Sequence, residues 1–497
     1  MDMTAFDPND LLVLLPELFL LCATFAILLL DLFLKPAQRD VTHWLSLLAL
    51  VVTGALVLRD APDAGQGFAV FNGMFLRDGV ATVLKTFVLL TTALVFVYGR
   101  DYMRERRLQV GEFYLLLLFA TLGMMLLVSA GNLVTVYLGL ELLTLASYAL
   151  VALNRDSAVS AEAAIKYFVL GALASGLLLY GMSMVYGATG TLDLARIHAV
   201  ADFSAASPHR TLLAFGLVFL VVGVTFKLGA APFHMWLPDV YQGAPTAITL
   251  FVGSASKLAA FGMTYRLLEG AMGGMQASWT PMLAALAALS LAVGNVFAIA
   301  QSNLKRMLAY STISHVGFLL LGFVGGTPAG YAAAMFYMIS YALMAAVAFG
   351  AIMLLARAGF EAEDIDDFKG LNRRNPWYAG VMALSMFSLA GIPPLFGFFA
   401  KLMVLKAAVD AGHLWLAIVA IVFAIVGLYY YLRVVKVMYF DAPVADEPLS
   451  LPPDRAFRWS LSLNGLALLA LGLGWSPLLE WCERAVGVAQ SVPGIAR

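Results

Sequence analysis

The sequence predicts an all-α integral membrane protein of about fourteen transmembrane helices, and three observations carry that prediction. Of its 497 residues, 62% are hydrophobic and only 12% charged, with a mean hydropathy of +0.88. A soluble domain carries roughly 25% charged residues. Apolar stretches near the ~20 residues that a spanning helix needs recur almost without soluble interludes. Basic residues gather in alternate connections between those stretches, the pattern of a chain that crosses a bilayer back and forth.

The first stretch, 11–34, follows Asp2, Asp7 and Asp10 where a secretory leader would be basic. It is also too long for a leader's apolar segment, so it reads as the first transmembrane helix. Helices are then expected over 41–58, 76–98, 112–129, 132–152 and 161–187. The next, 211–237, runs into "KLGAAPFHMWLPD", where a lysine, two prolines, a histidine and an aspartate interrupt it. Spans follow over 245–268, 281–300, 303–324 and 329–356. The stretch 377–409 is broken by Pro393 and Pro394, and 413–438 and 457–479 complete the set.

Alternate connections carry Lys35 and Arg39; Arg100, Arg104, Arg106 and Arg107; Arg155; Lys305 and Arg306; Arg357, Lys369, Arg373 and Arg374; Arg455 and Arg458. The opposite side holds only Arg59, Arg77, Arg196, Arg210, Arg484 and Arg497. The first set is expected to face the cytoplasm, which puts both termini outside. The acidic stretch "EAEDIDDF", Glu361 to Phe368, reads as a solvated cytoplasmic connection.

Several functions are excluded. Two cysteines at opposite ends, Cys22 and Cys482, supply neither iron–sulfur ligation nor a disulfide framework. GxGxxG, Walker A and HExxH patterns are absent, so the chain has no nucleotide, dinucleotide or zinc-protease motif. Thirty basic against thirty-one acidic residues give no footprint for nucleic acid.

An internal repeat is visible. "EAAIKYFVLGALASGLLLYG" (Glu162–Gly181) resembles "YAAAMFYMISYALMAAVAFG" (Tyr331–Gly350), and the interruption near Lys227 has a counterpart in "LAGIPPLFGFFAKLMVLK" (Leu389–Lys406). Two five-helix units that begin on opposite sides would be inverted repeats, a common plan of transporters. The expected division is an N-terminal three-helix segment over 1–110, five-helix units over 111–268 and 269–440, and a C-terminal helix and tail over 441–497.

Five ionisable residues fall inside predicted spans: Glu141, Lys166, Lys227, Lys257 and Lys401, with Lys85 a sixth. At ~3 kcal/mol each against lipid, the five would consume the ~5–15 kcal/mol net stability of a folded chain. They must therefore face protein or water and be at least partly paired. Glu141 has no basic residue at i±3 or i±4, so its partner comes from another helix, with Lys227 and Lys166 as candidates. Lys166 also lies one turn beyond Glu162, which offers a local pair. One acid cannot neutralise four lysines, and a buried lysine that responds to a neighbour's charge is a proton-transfer station.

Lys227 and Lys401 stand beside Pro232 and Pro393–Pro394. Proline frees a carbonyl four residues earlier, and free backbone is tolerated at membrane depth only where it is buried in protein or lines a wet cavity. Each lysine is therefore expected at the mouth of a half-channel. Lys257, in "FVGSASKLAAFG", is expected on a full-length helix between the two broken ones, a position that suits a central relay. His234 and His315 are candidate bridges, since an imidazole passes protons near neutral pH. Tyr310, Ser311, Thr312 and Ser314 add a polar stripe beside His315.

"KLGAAPFHMWLPDVYQGAPT", "SASKLAAFG", "NLKRMLAYSTISHVGF" and "GIPPLFGFFAK" resemble the antiporter-like membrane subunits of proton-pumping NADH–quinone oxidoreductase, respiratory complex I. The opening "LLPELFLLCATFAILLLDLF" and Lys401 in the second broken helix resemble the N type. The resemblance spans nearly the whole chain. It implies fourteen helices, two inverted repeats each supplying a half-channel, a Glu141–Lys227 coupling pair, Lys257 as relay and Lys401 as outward exit. It implies no cofactor on this chain, with NADH, FMN, iron–sulfur clusters and quinone held by partner subunits. The implied partners are neighbouring membrane subunits and the peripheral redox arm, in a bacterial inner membrane. A subunit of a multisubunit sodium/proton antiporter or membrane-bound hydrogenase would carry a homologous module.

Overall fold

A computed structural model describes residues 9–489 apart from 36–37, 60, 63–66, 109, 203–208, 358, 444–451 and 453. Asp2 and Asp7, cited against a leader, and Arg497 of the orientation argument lie outside the described residues. The chain opens with a short turn α1 (Asp10–Val13), then α2 (Leu15–Asp31) and α3 (Arg39–Arg59). A hairpin, β1 (Phe68–Val70) with β2 (Phe75–Arg77), leads to α4 (Gly79–Glu105). Next come α5 (Gly111–Val128), α6 (Leu133–Val151), α7 (Ala158–Thr189) and the surface helix α8 (Leu194–Asp202). The first interrupted span is α9 (Arg210–Leu228) with α10 (Trp236–Gly243), followed by α11 (Thr246–Gly253) and α12 (Ala255–Leu268). Then follow α13 (Gln276–Ile299), α14 (Leu304–Val324), α15 (Pro328–Leu355) and the short α16 (Leu371–Arg374). The second interrupted span is α17 (Pro376–Ala390) with α18 (Phe396–Asp410), and α19 (Leu414–Phe440), α20 (Arg455–Leu473) and α21 (Ser476–Ala489) close the chain.

Among the described residues, twelve helices are long and apolar enough to cross a membrane. Of the other two expected spans, the first is α2, with 17 residues, and the second is divided between α17 and α18, with 15 each. The layering is concentric. The α11–α12 span and α15 are wholly enclosed, and α14 nearly so, whereas α3, α7, α19 and α20 leave broad apolar faces outside. A helix apolar all round belongs inside, and one with an exposed apolar face meets lipid or another subunit.

Three elements depart from the sequence reading. The expected start of a helix at 76 is strand β2, paired antiparallel with β1 in the register Phe68↔Arg77. Phe71, Asn72 and Gly73 all have positive φ, the turn chemistry of an Asn-Gly hairpin. The helix begins only after Asp78, whose carboxylate accepts from the Ala81 amide at 2.8 Å. The full-length helix expected over 245–268 is interrupted at Ser254 (φ −123, ψ −81). Ser254 turns its hydroxyl onto the Leu250 carbonyl at 2.6 Å, a local bond that competes with the helical ladder. The last expected span stops at Leu473, and α21 follows as a separate helix.

One construction occurs twice. Asn132 caps α6 through the Val134 amide (2.9 Å), and Asn303 caps α14 through the Arg306 amide (2.9 Å). Asn132 also forms an isolated bridge with Asp193, and Asn303 with Asp364. In each case the partner lies in the connection that follows the next helix, α7 or α15.

Candidate functional site

A helix leaves its last four carbonyls without intrahelical donors. At the end of α9 the chain turns through Gly229 at φ +83, a left-handed position that favours glycine. The amides of Gly229 and Ala230 take the Thr225 carbonyl, both at 2.9 Å, and the Trp236 indole takes that of Phe226 at 3.0 Å. Lys257 supplies the remainder: its Nζ donates to the Leu228 carbonyl at 2.7 Å and lies 3.5 Å from that of Lys227. The ammonium also sits 5.0 Å from the centroid of the Trp236 ring.

The second interruption repeats the plan. Gly391 (φ +87) ends α17, its amide and that of Ile392 returning to Phe387. Lys401 on α18 donates to the Leu389 carbonyl at 2.9 Å and to Ala390 at 2.8 Å, 5.0 Å over the Phe318 ring. Both lysines thus occupy the negative end of a half-helix, where a cation is favoured. One acid could not neutralise four lysines, and it is backbone carbonyls that meet Lys257 and Lys401.

Glu141 and Lys227, the expected pair, do not touch. The Glu141 carboxylate accepts from the Ser175 hydroxyl. Lys227 Nζ is buried and has no hydrogen-bond partner among the described residues. Ser175 and Lys227 both line a small cavity of about 20 Å³, together with Tyr148, Tyr167 and Trp236. That is room for roughly one water. Lys166 lies away from this group. Its side chain is 43% exposed and bonds Glu162 and Asp239, both at 2.8 Å, so acids meet its charge in the first half of α7.

His315 is enclosed in a tyrosine cluster. Its Nδ1 is 2.6 Å from Tyr337 Oη and its Nε2 3.1 Å from Tyr431 Oη. Tyr431 meets Ser311 at 2.5 Å, and Tyr341 meets Thr312 at 2.6 Å. His234 stands in the half-exposed turn between α9 and α10, its Nδ1 unpartnered, and no hydrogen bond among the described residues ties it to a lysine.

Sequence reasoning missed several members. Tyr337 and Tyr341 share a helix face at i,i+4 spacing, and that spacing was the available signal. Lys305 was counted as a loop charge, yet it is 1% exposed and donates to the Ala244 carbonyl at the end of α10 (2.8 Å) and to Glu363 (2.9 Å). The acidic stretch is likewise packed rather than free: Glu361 accepts from Arg106 at 2.5 Å and from Tyr102 at 2.7 Å. Two buried ion pairs were also missed. Lys85 pairs with Glu17 at 2.6 Å, and Arg266 with Asp78 at 2.6 Å.

Residues 130–427 match the family model described as NADH:quinone oxidoreductase/Mrp antiporter, transmembrane. The subunit N of NADH-quinone oxidoreductase from Xanthomonas euvesicatoria is 61% identical over 476 residues, 96% of each chain. That of Thiobacillus denitrificans is 54% identical over 475 residues, 96% of this chain and 97% of its own. Among solved structures, a chain of respiratory complex I from Thermus thermophilus superposes with a TM-score of 0.80 at 34% identity, covering 94% of this chain and 98% of that one. A chain of the Mrp complex from Dietzia shares the fold, with a TM-score of 0.84 at 22% identity, covering 96% of this chain and 97% of that one. At this similarity over nearly its whole length, the chain belongs to the subunit N family of NADH-quinone oxidoreductase, within the wider group of antiporter-like membrane subunits.

Proposed function

We propose that the chain is a proton-translocating membrane subunit of NADH–quinone oxidoreductase, with electron transfer carried out by partner subunits. The observation that carries the reading is the pair of lysines, Lys257 and Lys401, each bonded to the last carbonyls of an interrupted half-helix. A lysine held by carbonyl dipoles alone has no counter-anion to fix its proton, so it can load and release one as its surroundings change.

The proposed route begins at a pocket of about 480 Å³ lined by Tyr102, Arg106, Glu361 and Glu363, on the side read as cytoplasmic. It passes to Lys257, through the His315 tyrosine cluster and to Lys401, which releases outward. Glu141 and Lys227 act as the switch. In one state Ser175 holds the carboxylate; in the other, Glu141 crosses the small cavity to Lys227 and stabilises its charge. The change in field at Lys257, 3.5 Å from the Lys227 carbonyl, drives the proton on.

The architecture that fits is fourteen spans, with α2 and the α17–α18 pair completing the twelve. Five spans separate the start of α6 from that of α14, so the twin asparagine caps lie on opposite sides, which supports inverted five-helix units over 111–268 and 269–440. NADH, FMN, iron–sulfur clusters and quinone would belong to the partner subunits. The rival reading, an Mrp-type antiporter subunit, has the fold in its favour but 22% identity against 61%.

The test is the enzyme complex carrying Lys257→Met, reconstituted in vesicles with NADH and quinone. The expected result is an assembled complex whose protons pumped per electron fall. An unchanged ratio would remove this chain's lysine from the route.

A further inference from the structure

We propose that the groove between the first turns of α17 and α20 binds the phosphate of an anionic phospholipid. The groove is about 490 Å³ and is lined by Trp377, Tyr378, Arg455, Arg458, Trp459 and Ser462. Arg455 and Arg458 are i,i+3 neighbours at the start of α20 and so share a face. Among the described residues neither guanidinium has an ion-pair partner, and Arg458 Nε is buried with no acceptor. A buried guanidinium nitrogen without an acceptor is an incomplete site, because a charged donor left unmatched is destabilising.

Asp454, next to Arg455 in the sequence, does not complete it. The Asp454 carboxylate caps α20 through the amides of Ala456 (2.8 Å) and Phe457 (3.3 Å), and its second oxygen lies 3.6 Å from Arg100. Asp454 is therefore directed at the helix end and at α4. The aromatic walls are built: the Trp377 indole donates to the Ser462 hydroxyl at 2.9 Å. Trp377 is 52% and Trp459 76% exposed, and tryptophans at the ends of spans mark the level of lipid headgroups.

Two guanidiniums suit a phosphate oxygen pair, which they grip bidentately, while the rings flank the glycerol. The groove lies on the side with the basic connections, where anionic headgroups collect in basic pockets between helices. A free phosphate would satisfy the arginines but leave both indoles uncovered, so the lipid is the occupant the site fits.

The test uses the purified, delipidated complex and a photoactivatable phosphatidylglycerol, with labelled peptides mapped by mass spectrometry. Label is expected on the first turns of α17 and α20, displaced by phosphatidylglycerol but not by phosphatidylcholine. In the Arg455→Gln/Arg458→Gln complex the half-displacing concentration is expected to rise roughly 30-fold, from two lost charges at the membrane surface. Equal labelling by a phosphatidylcholine probe, or labelling indifferent to the arginines, would overturn the proposal. Displacement by millimolar inorganic phosphate alone would overturn the lipid and leave a simple anion site. Should the double variant not assemble, the wild-type competition and the Arg458→Gln single variant decide.

Discussion

A lysine inside a membrane span is usually explained by finding its acid, as Glu17 explains Lys85, but for Lys257 and Lys401 that search misleads. Lys401 bonds two carbonyls at the end of α17, so its substitutions separate structure from proton transfer. Lys401→Met leaves those acceptors unsatisfied, a loss of about 1–3 kcal/mol, and is expected to lower both thermal stability and pumping. Lys401→Arg keeps donors on the carbonyls but cannot release a proton. Thermal unfolding of its complex should return toward that of the wild type while pumping stays low; recovery of pumping would assign Lys401 a purely structural part. The buried pair of Arg266 and Asp78, exposed by 3% and 0%, behaves differently. Arg266→Gln strands a carboxylate in the core and should cost ~3–5 kcal/mol, read as loss of the chain from membranes. Adding Asp78→Asn should restore most of it, because asparagine still caps α4 at the Ala81 amide.

Between helices, several close backbone approaches are made at glycines. A Cβ on Gly294 of α13 would fall 2.4 Å from the Ser314 amide nitrogen of α14, and one on Gly123 of α5 would fall 2.6 Å from that of Leu143 in α6. Small residues let backbones approach in this way where no aqueous hydrophobic effect drives helices together. Gly294→Ala is therefore expected to destabilise the chain by about 1–3 kcal/mol through overpacking, measured as reduced thermal stability of the complex. Gly176→Ala on α7, where nothing lies within 4 Å, should be neutral or slightly stabilising. The elements themselves were largely legible, because apolar length and proline position are local properties. The breaks after Lys227 and around Pro393 follow from residues within a turn of each. The break at Ser254 was not legible, since a serine in an apolar run looks the same whether its hydroxyl bonds the helix or leaves it. The hairpin was a misreading: "FNG" carried its turn, and the apolar run after it was assigned to a helix.

Across the whole molecule, the identities of the buried charges could be read from the sequence but their partners could not. Glu141 meets Ser175, thirty-four positions away, and Lys305 meets Glu363, fifty-eight away; separations of that size leave no periodic trace. Lys305 matters most at this scale because it ties the end of α10 to the connection after α15. Its ammonium bonds the carbonyl that ends α10 and a carboxylate on the connection that leaves α15, about sixty residues away on either side. If motion of α10 is felt at α15, this contact transmits it. Lys305→Met removes both bonds and is expected to lower protons pumped per electron in an assembled complex. Lys305→Arg retains a donor for both acceptors, so a mechanical link is preserved and pumping should be largely kept. The same substitution thus has opposite expected outcomes at Lys305 and Lys401. Loss of pumping in both would make Lys305 a further station on the route, and retention in both would place the route elsewhere in the chain.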